Sequence, residues 1–456
     1  MFKNQSKDFE QILNRVSSLP VIDTHEHMVG PQFHVPINEP ITALTLDYLQ
    51  NDIFSIGVED VVLQMLQDPE IPTEKKWPVF EPIWKKVEYT ANAWITKLIM
   101  QDFFQEEEMS LGALKRISDR LPTFQNESDY WTMLDEAGIQ VIISDPLGRE
   151  QCDFGDYIRG DFTFPDRFRI MISLPLFHVV AHHPQSSRDW EGMQRIGSWA
   201  NKHITSLNEF LESVFIVLSK AKELGAIGIK DQSAYNRSLE YHIVPRHEAE
   251  KIFNRLLTDP RTVLGWPEAK PLDDFLFHQY LRFARELDLP VQIHTGHIAR
   301  NYHRVDTANA VLLREVLELH QEVKFDLFHG NWPYIDDMLF ILKNYPNVAM
   351  NCCWLYTIDP IYAEQILKRS IFTAPTSKVH GFGGDYGSRM YGDTPAYSVS
   401  HLKIARYVIS KVLYDFVQKE FFNEDAAVRL AADWLYNNPN EFYKLGLEPI
   451  DGNNIV

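Results

Sequence analysis

Eight short runs rich in β-branched and other apolar residues recur along the chain, at 21–25, 140–145, 169–174, 226–230, 291–294, 324–329, 348–352 and 379–383. Runs of this length and composition read as buried strands. Between them lie segments with helical spacing of apolar residues, at 207–224, 272–287, 307–319 and 361–369. Strands alternating with helices predict a parallel (β/α)8 TIM barrel, a fold that tolerates insertions and places its functional groups at the C-terminal ends of the strands. The chain, 456 residues long, fits one such barrel spanning 1–456.

One interval is too long for a simple crossover. Residues 37–125, between the first and second runs, read as helical from 41 to 121 with a break at Pro69–Pro72. They carry Trp77, Phe80, Trp84, Tyr89, Trp94, Phe103 and Phe104. That aromatic content is enough for a small core of its own. The expectation is a helical insertion roofing the barrel mouth, whose aromatic surface could also support a homo-oligomer. Glu106, Glu107 and Glu108 read as a solvated helix end. The tail, at 396–417 and 424–435 and then Asn437 to Leu445, reads as helices closing the fold.

Composition narrows the partners. A formal net charge of −19 leaves no basic face for a phosphate backbone or an anionic membrane, so a small-molecule substrate is expected and nucleic acid and membrane are not. No apolar stretch approaches the roughly 20 residues that span a bilayer. The first 19 residues mix Lys3, Lys7, Asp8, Glu10 and Arg15 with apolar positions, which reads as a helix and not a signal peptide. Cys152, Cys352 and Cys353 form no disulfide framework, and reduced thiols in a cytoplasmic setting are expected. Cys352 and Cys353 read as packing residues, since no activating partner is evident.

Several strand ends carry residues that bind metals. In Val21-Ile22-Asp23-Thr24-His25-Glu26-His27, side chains two apart leave a strand on the same face, so both imidazoles can meet one ion. Lys230, His294, His329 and Asp385 end other runs. Imidazole and carboxylate are the ligands that zinc, manganese or iron accept when a position must stay open, which makes His25, His27, His294 and Asp385 a self-consistent set. A lone histidine is as readily a hydrogen-bonded core residue; recurrence at matching strand ends weighs for the ligand reading. Arg237 and Arg300, after the fourth and fifth strands, could clamp a carboxylate or form rim salt bridges. Tyr235, His297, His303 and Tyr386 lie close by in sequence to these strand ends. His182 and His183 follow no strand-end rule and receive no role.

In this order His25, His27, Lys230, His294, His329 and Asp385 resemble the amidohydrolase superfamily of metal-dependent barrels. The closing 437–445 is similar to the ending of that superfamily, and the nearest likeness within it is to the amidohydrolase-2 type, supported by 234–239 and 328–334. That resemblance implies a divalent ion, taken as zinc, held by His25, His27, His294 and Asp385. It implies that Asp385 serves as general base, His329 stabilises oxyanion charge and Lys230 contacts substrate, with Arg237, Arg300, Tyr235 and His297 orienting it. One ion is expected, or two if Lys230 is carbamylated. A more distant resemblance is to uronate isomerases, carried by His294-Thr295-Gly296-His297-Ile298-Ala299-Arg300-Asn301 and the Trp354 loop. The expected activity is a metal-dependent hydrolase acting on a small anionic or polar substrate, the alternatives being a uronate-type aldose-ketose isomerase or a decarboxylase.

Overall fold

Each of the eight apolar runs becomes a strand. The computed structural model describes residues 6–33, 37–45, 48–124, 126–147, 152–174, 192–259, 262, 264–299, 302–387 and 395–452. The strands are β1 (Val21–Glu26), β2 (Ile139–Ser144), β3 (Phe168–Ser173), β4 (Ala226–Asp231), β5 (Val291–Ile293), β6 (Phe325–Leu327), β7 (Val348–Asn351) and β8 (Val379–His380). They pair in parallel in chain order, forming a (β/α)8 barrel with helices between them.

Alternation along the strands sorts side chains into two clusters. Ile142, Ile170 and Ile172 join the large core shared with the helices. Val141, Ile143 and Met171 pack instead with Ile22, Tyr436 and Tyr443 in a smaller cluster on the opposite face. The C-terminal tail therefore contributes to the barrel's interior filling. It also fixes β8: the amide of Gly381 donates to the Trp434 carbonyl at 2.7 Å, and Asn438 donates to the carbonyls of Val379 and Thr376 at 2.9 and 2.8 Å.

The short β8 meets β1 through three backbone bonds, Thr24 to Phe382 at 3.1 Å, Asp385 to His25 at 2.9 Å and His27 to Tyr386 at 3.0 Å. This seam brings the His-x-His segment beside Asp385. Two carboxyl groups from β1 secure it. Asp23 accepts from the Gly384 amide at 3.0 Å, and Glu26 accepts from the Tyr386 amide at 2.7 Å and from the Ser398 hydroxyl. Gly384 is obligatory here, because a Cβ would overlap the Glu26 carboxylate.

Between β1 and β2 stand the helices Pro40–Thr45, Leu49–Ser55, Asp60–Gln67, Thr73–Val87, Ala91–Phe104 and Leu111–Phe124, followed by Glu127–Glu136. The break at Pro69–Pro72 falls between the third and fourth of these. A buried polar knot ties the first to the fourth. Glu39 caps Pro40–Thr45 by accepting from the Thr42 amide at 2.8 Å, and it pairs with Lys76 at 2.5 Å while Thr73 donates to it at 2.7 Å. The aromatic residues Phe80 and Trp84 are buried beside this knot.

The helix expected at 307–319 is broken. Two 3-10 turns, Val305–Ala308 and Ala310–Leu313, precede the α-helix Arg314–Leu319. The cause is Asn309, whose extended backbone and side chain, accepting from the Val311 amide at 3.1 Å, restart the chain. Among the described residues, no helix is long and apolar enough to cross a membrane.

Candidate metal centre

The arrangement at the barrel mouth follows from where imidazole protons must lie. His27 Nδ1 stands 3.1 Å from the carbonyl oxygen of Asp145, and His329 Nδ1 stands 2.8 Å from that of Cys353. A carbonyl can only accept, so in each neutral ring Nδ1 carries the hydrogen and Nε2 a lone pair. His25 Nδ1 faces Gln292 Oε1 at 3.1 Å, with the same result. The Nε2 atoms then converge on one carboxylate, at 3.4 Å (His25) and 3.3 Å (His27) from Asp385 Oδ1 and 3.8 Å (His329) from Oδ2. His25, His27 and Asp385 place a ligand atom each within 4.8 Å of one another.

Acceptor atoms this close repel unless something positive lies among them: a proton, a metal ion or the Lys230 ammonium, whose Nζ stands 3.1 Å from His25 Nε2. Burial, with Lys230 adding to it, holds His25 well below the ordinary imidazole range, which disfavours the proton. Burial likewise brings His329 down to about 4, and its Nε2 has no hydrogen-bond partner. The donor set thus fits a divalent ion.

Lys230 is buried at the end of β4, with Nζ 3.1 Å from His25 Nε2 and 4.0 Å above the Phe328 ring. Burial lowers its pKa, partly offset by Asp385 and Asp145. This eases the conflict between an ammonium and a nearby dication. His294 lies against His329, with ring centroids 4.4 Å apart, yet it does not join the three-residue group. Its Nε2 is instead 2.8 Å from the His297 carbonyl, so its lone pair is on Nδ1.

The other expected residues divide. Tyr235 sets its ring edge-on to His294 at 4.9 Å and accepts from the Ala299 amide. The His297 ring packs on Trp354 at 5.1 Å, and burial lowers its pKa to about 3. Arg237 is a correction. Its guanidinium lies 3.8 Å over Tyr241 and 4.4 Å over Trp266, pairs with Asp274 and is only 5% exposed, so partners within the fold take up the clamp expected for substrate. His329 stands beside Asp385, and in its neutral form it offers a lone pair at Nε2. Arg300, Asn301, His182 and His183 lie outside the described residues.

Strand-end reasoning passed over three participants. Asp145 follows β2 by one residue, and applying the same rule there would have flagged it. Gln292 lies two residues before His294 on β5 and looks like an ordinary strand position. Cys353 has a partner after all: Sγ is 3.5 Å from His329 Nδ1, and it forms a second potential ligand group with His329 and Asp385. Burial raises its thiol well above the usual value, which agrees with a packing residue and not a nucleophile.

A cavity of about 640 Å³ lies next to this centre, between the insertion and the barrel loops. Asn51 and Trp94 line it from the insertion; His297, Trp332, Trp354 and Asp359 line it from the loops. Tyr48, from the insertion, donates to the Asp385 carbonyl and packs on Trp354 at 4.1 Å.

A family model described as amidohydrolase matches residues 243–445, the segment holding β5 to β8 and the closing helices. The amidohydrolase resemblance stands. Among curated proteins, 283 residues are 23% identical to Protein fluG of Emericella nidulans, covering 58% of this chain. The match covers only 30% of that relative's length. The fold is similar to the uronate isomerase of Thermotoga maritima, with a TM-score of 0.75 and 15% identity over 97% of this chain and 100% of that one. It is similar to the glucuronate isomerase of Caulobacter crescentus, with a TM-score of 0.75 and 18% identity over 97% and 94% of the two chains. A Lactobacillus casei protein described as a candidate metal-dependent hydrolase matches with a TM-score of 0.63 and 14% identity over 95% and 98%. At these identities the structural likeness concerns the fold.

Proposed function

We propose that the protein is a metal-dependent hydrolase of a small polar or anionic molecule, working in a barrel mouth roofed by the helical insertion. The observation that carries this reading is the convergence of His25 and His27 Nε2 on Asp385 with lone pairs facing inward. His25, His27 and Asp385 would hold a divalent ion, zinc being the first candidate, with His294 beside them. Such an ion supplies Lewis acidity and brings the pKa of a bound water toward neutrality.

The chain's own groups handle the proton. Asp385 turns Oδ2 toward His329 Nε2, so a proton taken by the carboxylate from an attacking water can be passed to a leaving group or parked on His329. Lys230, held inside, is placed to meet an oxygen of the substrate. The aromatic cavity at Trp332 and Trp354 would seat the substrate's body and exclude water.

A second reading, aldose-ketose isomerisation, draws on the uronate and glucuronate isomerases whose folds align over 97% of this chain. Elemental analysis of purified protein, followed by screening amides, esters and uronates in heavy-oxygen water, separates the readings. Hydrolysis places the heavy oxygen in the product and isomerisation does not. Protein that binds no divalent ion, with turnover untouched by chelators, would sink both.

A further inference from the structure

A chain of hydrogen bonds runs through the barrel interior from β6 to His25, and its direction is dictated at both ends. The side-chain amide of Gln292 lies 2.8 Å from the Thr24 carbonyl oxygen and 2.8 Å from the Tyr443 hydroxyl. Since the Thr24 carbonyl can only accept, the nitrogen of the Gln292 amide must face it, and Oε1 must face His25 Nδ1. Tyr443 donates its own hydrogen to Asp326 Oδ2, which frees a hydroxyl lone pair for the second Gln292 N–H. Asp326 Oδ2 is fixed as an acceptor from the other side as well. Asn351 Nδ2 donates to it at 2.7 Å, and Asn351 is itself oriented by the Cys353 amide donating to its Oδ1 at 2.8 Å. Thr24, His25, Gln292, Asp326 and Asn351 are all fully buried, so water offers no competing partners.

We propose that Gln292, aligned by Thr24, Tyr443 and Asp326, is a positioning residue that, together with Lys230 Nζ 3.1 Å from Nε2, locks His25 in the Nδ1–H tautomer and keeps the Nε2 lone pair on the Asp385 side. This rests on the metal-centre reading for its purpose, but the tautomer itself is a property of the metal-free protein. The register supports the arrangement: Lys230, Gln292 and Asp326 are directly paired across β4, β5 and β6 and occupy one level of the barrel. An imidazole ligand held from behind by an amide oxygen loses neither orientation nor tautomer when the ion leaves, and removing such a support typically lowers metal affinity about 10–100-fold.

Long-range proton–nitrogen correlation spectra of histidine-labelled, metal-stripped protein report the tautomer directly, with His25 assigned by the signal lost in His25→Gln. The expected wild-type result is a hydrogen on Nδ1. Gln292→Met, which keeps length and loses the acceptor, should mix the tautomers and weaken divalent-metal binding in a chelator competition by about 10–100-fold. Gln292→Glu, measured at a pH low enough for its carboxyl to be protonated toward the Thr24 carbonyl, keeps an oxygen facing His25 and should restore the Nδ1–H form; damage of the two variants to the same extent would point to packing alone. A hydrogen on Nε2 in the wild type overturns the proposal without any variant having to fold. The expected tautomer in a protein that binds no divalent ion leaves this inference standing and removes the proposed function instead.

Discussion

At the level of single residues, proton placement decides what the site can do. His329 is buried and neutral, with its ordinary pKa near 6.5 brought to about 4 in the fold. The unfolded chain therefore takes up this proton first as pH falls. Above pH 6.5 the group costs nothing; between 6.5 and 4 each pH unit costs about 1.4 kcal/mol, approaching a loss of about 3 kcal/mol. Denaturant titrations of metal-stripped wild type and His329→Gln across that window should show the wild type losing its advantage by this amount, and parallel curves would contradict it. For Asp385→Asn we expect turnover to fall by roughly 10²–10⁴ with the melting transition retained, measured by steady-state rates and calorimetry. His25, His27 and Asp385, the candidate ligands that the fold brings together, stood out in the sequence because each ends an apolar run. Gln292 was harder to read, since its function is defined by what lies across the barrel from it.

At the level of elements, the sequence revealed the strands through their apolar runs, and the closing helices through their spacing. It could not reveal that Asn309 breaks a helix, because helical periodicity continues through it and only the side-chain bond to the Val311 amide shows the interruption. Arg237 was misread for a related reason: from sequence, an arginine after a strand looks like a clamp, whereas its partners Asp273 and Asp274 lie on the later helix Trp266–Glu286. Removing one member of a buried pair strands the other, so Arg237→Met should cost about 3–5 kcal/mol in unfolding free energy. Because this pair is structural, KM for any substrate found should be unchanged where the variant is folded. The Lys76–Glu39 pair makes the same argument for the insertion, with both side chains buried. Lys76→Met should loosen the helices Pro40–Thr45 and Thr73–Val87, read as faster amide exchange there while exchange in the barrel strands stays slow.

At the level of the whole molecule, an ion bound only by the folded state must raise its stability. Adding a divalent metal to stripped protein at 100 times its dissociation constant should add about 2.7 kcal/mol, seen as a raised thermal midpoint. The doubly substituted His25→Ala, His27→Ala protein should gain nothing. The seam between β8 and β1 carries a further consequence. His25 and His27 are made almost at the start of the chain and Asp385 near its other end, and they become neighbours only through Thr24, His27 and Asp385 bonding across that seam. A ribosome-bound or partly refolded chain lacking its last strand would have only half of the proposed ion site. The moment of ion capture would therefore time the completion of the ring, making the cofactor a clock for the final step of folding.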